Sequence, residues 1–103
     1  MHVSNDVNIS ARTAAAEANI NTNKFDTVML FAVGLAGAET VTVYVNVGGA
    51  ELAVYDAAGD AVVLTPTNPS VVLEGGPQYH VEKSSTVGQA SVHTILRRTS
   101  PSN

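Results

Sequence analysis

The chain has no cysteine and no tryptophan among its 103 residues, and only 14% of them are charged. The missing cysteines exclude disulfides, thiolate catalysis and cysteine-ligated zinc. Five basic residues against nine acidic ones leave a net charge of −4. That balance argues against a nucleic-acid surface, which needs a basic stripe. Long apolar runs are missing too. The longest, Val28 to Ala38, is broken by glycines. A membrane-spanning helix needs about 20 apolar residues, so a soluble protein without membrane contact is expected. The first residues, Met-His-Val-Ser-Asn-Asp, have neither the basic region nor the apolar stretch of a signal peptide.

Valine is abundant. With 16 valines, 10 threonines and 3 isoleucines, β-branched residues make up 29 of the 103. Such side chains lose rotamer freedom in helices and pack well on a pleated surface. Val41, Val43, Val45 and Val47 alternate with Thr42, Tyr44 and Asn46, the period-two signature of a half-buried strand. Gly48-Gly49 then supplies a hairpin turn. The pattern continues through Leu52 and Val54, Val62 and Leu64, Val71 and Leu73, Tyr79 and Val81, and Val92 to Arg97. Turns between them recur every ~8 to 12 residues, the spacing of a sandwich or barrel. Val28 to Val33 is apolar without alternation, which reads as a central strand covered on both faces. The other sheet, the N-terminal segment or a partner subunit could supply the second cover.

These features predict an all-β protein: a single antiparallel β-sandwich or jelly-roll-like barrel of about seven or eight strands. Residues 1–24, with their alanines and asparagines, read as a weakly structured N-terminal arm. Residues 25–98 form the β domain, and 99–103 are a flexible tail.

Reactive constellations are sparse. His80 and His93 could neighbour each other across paired strands, but without a third ligand they read as outward-facing strand histidines. Asp56 and Asp60 read as turn residues rather than calcium ligands. No serine sits in a nucleophile elbow, and the glutamates are scattered. No metal, no cofactor and no enzymatic activity are expected. The low charge instead suggests a surface made to be covered, because interfaces are depleted in charge. Only two lysines are available to guard the sheet edges. Tyr44, Tyr55 and Tyr79 are candidate interface anchors.

From Glu39 to about Val92, the succession Val41-Thr42-Val43-Tyr44-Val45, Gly48-Gly49, Leu52-Ala53-Val54-Tyr55-Asp56, Val62-Val63-Leu64-Thr65, Val71-Val72-Leu73 and Gly76-Pro77-Gln78-Tyr79-His80-Val81 resembles small virion structural proteins of tailed bacteriophages. The resemblance covers about half the chain and is a pattern of strands and turns, not a catalytic signature. The head decoration, or cement, proteins are the nearest functional class. It implies a non-enzymatic protein on the outer capsid surface of the virion. Its partners would be the major capsid protein and further copies of itself, as trimer or dimer. Residues 3–11 would then add a strand to a capsid sheet edge, with Val3, Val7 and Ile9 filling pockets. A tail, neck or fibre module is the nearest alternative. A carbohydrate- or receptor-binding β-sandwich outside any virus is the next.

Overall fold

A computed structural model describes residues 2–98. Among the described residues there are nine strands and no helix: β1 (His2–Arg12), β2 (Ala16–Asn21), β3 (Thr27–Val33), β4 (Val41–Val47), β5 (Ala50–Ala53), β6 (Val63–Leu64), β7 (Ser70–Glu74), β8 (Gln78–Lys83) and β9 (Ala90–Arg98). They form two antiparallel sheets. Sheet A has the order β1-β9-β3-β7, and sheet B the order β2-β8-β4-β5, with β6 also on β4.

The pairing is nested. β1 meets β9, β2 meets β8, β3 meets β7, and β4 meets β5 and β6. A chain folded back on itself this way, with alternate levels sent to opposite sheets, is a jelly roll. β5 and β6 are two halves of one broken strand. Both lie on the same edge of β4, β5 against Tyr44 to Val47 and β6 against Val41 and Thr42. Between them the chain leaves the sheet as a short finger closed by the Tyr55–Ala61 bridge. Val54 and Val62 flank its base, Val54 N–H donating to the Val43 carbonyl and Val43 N–H to the Val62 carbonyl. The nine strands therefore make an eight-strand sandwich with one interruption. The expected sandwich is present, and its jelly-roll order follows from the nesting.

The core lies between the sheets. Val28 and Leu30 of β3, Val41 and Val43 of β4, Val81 of β8 and Val92 of β9 are all at most 1% exposed. Alternation accounts for this, since successive side chains of a strand point to opposite faces. At about 25 cal/mol per Å² of apolar area, each buried valine or leucine contributes roughly 1.5–3 kcal/mol.

Residues 2–24 depart from the expected arm. They carry β1 and β2, one strand in each sheet. β2 pairs in register with β8 from Ala16–Lys83 to Asn21–Gln78. Its inward side chains are Ala16, Ala18 and Ile20. Two alanines give a weak apolar signal, although the two-residue period is present. β1 shifts register between Val7 and Ile9, where Val7 pairs with His93 but Ile9 with Val92. The extra residue flips the strand's faces, as a β-bulge does. Val7 points out, and Ile9 joins the core at 3% exposure. The tail expected at 99–103 lies outside the described residues. No helix among the described residues is long and apolar enough to cross a membrane.

Candidate interaction surfaces

The two outer faces of the sandwich are the surfaces on which a partner or ligand could dock. On sheet A the register places side chains in cross-strand rows. Val7, His93 and Phe31 form one row, Asn5, Ile95, Met29 and Val72 the next, and Val3, Arg97, Thr27 and Glu74 the third. Val3, Val7 and Val72 are 49%, 60% and 60% exposed, an unusual load of open valine for one face. Met29, Phe31 and Ile95 lie half-buried between them. The second face of the apolar Val28–Val33 run is thus this open surface, covered by neither the other sheet nor the N-terminal segment.

Sheet B presents the opposite chemistry. Its rows are Glu17, Glu82, Thr42 and Val63; Asn19, His80, Tyr44 and Ala53; and Asn21, Gln78, Asn46 and Glu51. His80 is held below this surface at 6% exposure. Its Nδ1 lies 2.7 Å from Asn19 Oδ1. Its Nε2 lies 3.3 Å from Glu82 Oε2 and 3.5 Å from Glu17 Oε1. The Tyr44 ring leans over it at 6.3 Å between centroids and 46° between planes.

The sequence-derived interface residues scatter. Val3 and Val7 share the outer face of sheet A. Ile9 does not: the bulge turns it inward, so it cannot fill a partner's pocket. Tyr79 is also a core residue, 5% exposed, its hydroxyl donating to the Glu74 carbonyl at 2.6 Å. Burial, aided by the Glu74 charge, holds its phenol above the ordinary tyrosine value. Tyr44 belongs to the outer face of sheet B, and Tyr55, 65% exposed, to the finger. His80 and His93 do not neighbour each other, because they lie in different sheets. His93 Nε2 meets Ser91 Oγ at 2.8 Å. Asp56 is a turn residue: its Oδ1 accepts the backbone N–H groups of Ala58 and Asp60, both at 3.0 Å.

What sequence reasoning missed is the meeting of Glu17 with His80 and Glu82. The His80–Glu82 spacing of two residues on a strand was visible and puts both on one face. Glu17 arrives only through the β2–β8 register, which no local pattern encodes.

The nested pairing and the filled interior define a jelly-roll β-sandwich. No family model matches the sequence, and no curated protein matches it either. Among solved structures, the chain is similar to the SPBc2 prophage-derived protein YomS, with a TM-score of 0.72, 16% identity and 92% of each chain covered. At that identity the likeness shows a shared fold. The nucleoplasmin-like N-terminal domain of Drosophila FKBP39 aligns over 98% of this chain and 93% of its own, at 12% identity. Its TM-score of 0.41 is too low to support any argument.

Proposed function

We propose that the chain is a non-enzymatic structural protein of a phage particle, a decoration protein that docks on the capsid through the outer face of sheet A. The observation that carries this reading is the apolar patch spread over three rows of that face, with Val3, Val7 and Val72 exposed around half-buried Phe31, Met29 and Ile95 on the sandwich. A free monomer gains nothing from valines held open to water, whereas burial of each against a partner is favourable. The prophage origin of YomS, which shares the fold, supports the setting.

The size of the face bears on the mode of binding. Four strands at about 4.8 Å and seven residues at about 3.3 Å give roughly 15 by 20 Å. That is below the ~800 Å² per partner of a standard stable interface. Each contact would be weak, and a repetitive lattice would make the sum strong through avidity. Among the described residues β1 is also an edge strand, paired with β9 alone, so its other edge is available for strand addition on the capsid.

The test uses particles lacking the chain, supplied with purified protein and imaged by cryo-electron microscopy. Wild type is expected on the head surface in regular array, and a Val7→Asp/Val72→Asp variant is expected to be absent from it. Full occupancy by that variant would sink the docking face. Density confined to the tail would move the protein from the head. Absence of the chain from purified wild-type particles would sink the virion reading itself.

A further inference from the structure

We propose that Glu17, His80 and Glu82 form a binding site for a divalent transition metal of the zinc class on the outer face of sheet B. The three ligand atoms lie within 4.8 Å of one another. His80 Nε2 is 3.3 and 3.5 Å from the two carboxylate oxygens. An imidazolium donating to a carboxylate settles at about 2.7–2.9 Å. Two ligands of a tetrahedral zinc ion, each bonded at about 2.0–2.1 Å, are separated by about 3.3 Å. The observed distances match the second geometry.

Three further observations point the same way. First, the ring is oriented for it. Asn19 Oδ1 can only accept, so Nδ1 carries the proton that it receives. In the neutral ring this leaves the Nε2 lone pair aimed between two carboxylates, an arrangement that needs a cation. Metal-bound histidines are oriented by just such a bond from their other nitrogen. Second, Glu17 and Glu82 are direct cross-strand partners. Like charges directly opposite destabilise a ladder, and a divalent cation between them reverses the sign. Third, the donors differ in freedom. His80 is fixed, its side chain 8% exposed, while the carboxylates are 70% and 45% exposed and free to close on an ion.

Imidazole with two carboxylates suits zinc, nickel or copper, whereas magnesium and calcium prefer oxygen alone. Three protein ligands leave a fourth position open, for water or for a group from a partner. The bound ion would neutralise the pair of carboxylates and tie β2 to β8.

The test is calorimetric titration of the tag-free chain with ZnCl2, with MgCl2 as control, alongside thermal melts. Wild type is expected to bind one zinc and to melt roughly 10 °C higher when free zinc is 100 times Kd. Glu17→Gln/Glu82→Gln changes exposed groups only, so it is expected to melt no lower than wild type without metal and to gain nothing from zinc. Asn19→Ala is expected to bind about 10- to 100-fold more weakly, as loss of an orienting partner does. His93→Gln is expected to bind as wild type. Zinc binding unchanged in the Glu17/Glu82 variant, or no zinc-dependent heat and no melting shift in wild type at millimolar ZnCl2, would overturn the proposal.

Discussion

The two outer faces are built from the same backbone geometry and carry opposite chemistry. Sheet A shows Val3, Val7, Met29, Phe31, Val72 and Ile95, and sheet B shows Glu17, Asn19, His80, Gln78, Asn46 and Glu51. The interior does not demand this contrast, since Val28 and Leu30 of sheet A and Val43 and Val81 of sheet B are buried alike. The difference therefore lies in the outward side chains alone. A largely apolar face, its charged residues Arg97 and Glu74 lying in the Val3 row, suits a surface to be covered. A face with a buried histidine between two acids suits a small charged ligand.

The largest effect separates the inside of sheet A from its outside. Leu30 and Met29 are neighbours on β3, one fully buried and one on the outer face. Leu30→Ala is expected to cost about 3 kcal/mol or more in denaturant unfolding, through lost burial and a cavity. Met29→Ala is expected to cost under about 1 kcal/mol in the free protein. Equal losses would mean that the outer face is already covered in solution, by a second copy.

A smaller effect, of opposite sign, lies at Thr94, an inward residue of β9. Its Oγ1 is buried without a hydrogen-bond partner. Thr94→Val replaces the hydroxyl with a methyl of similar shape and is expected to stabilise by about 1 kcal/mol. A loss of stability would show that the hydroxyl is satisfied by internal water.

Alkaline pH tests the interior of sheet B. Lys83 is 2% exposed, and its Nζ donates to the carbonyls of Ala14 at 2.8 Å and Ser84 at 3.1 Å. Burial pushes its ammonium below the ordinary lysine value of 10.5; Glu39 opposes that shift, and Arg12 adds to it. Below 10.5 the unfolded chain then binds more protons than the folded one, so stability rises with pH across that window. Tyr79 acts oppositely: its raised phenol keeps its proton in the fold, so stability falls as pH climbs past 10.0. Urea unfolding along a pH series should show the rise and then the fall. Lys83→Met should flatten the rise and Tyr79→Phe the fall. A rise that persists in Lys83→Met would assign it to another group.

How much of this was legible follows from where the signal resides. Val41 to Val47 was plain, because one face is buried and the other is not. The unbroken apolar run Val28–Val33 marks a central strand, and β3 does lie between β9 and β7, but the cover that the run implies for its second face is absent among the described residues. β2 was hidden because Ala16 and Ala18 bury little area, so the period of two carries little hydrophobic contrast. The Val7–Ile9 bulge defeated the arm's expected interface, since one inserted residue exchanges the faces. The Glu17–His80–Glu82 group joins residues 63 positions apart (Glu17 to His80), and only the β2–β8 register brings them together.

The finest contrast between the faces is electrostatic. In chelator-treated protein, Glu17→Gln removes one of two acids placed directly opposite each other. Such an opposition costs about 0.2–1 kcal/mol, so the variant should be more stable by that amount. Glu51→Gln is the control. It lies on the same face but faces Asn46, and should change stability by less than about 0.5 kcal/mol. Since Glu17 is 70% exposed, salt should screen the gain and shrink it. If Glu17→Gln instead destabilises the metal-free protein, the glutamate is held by His80 as a proton-bridged ion pair. The histidine would then be a structural clamp, and the polar face would need no ion to explain its arrangement.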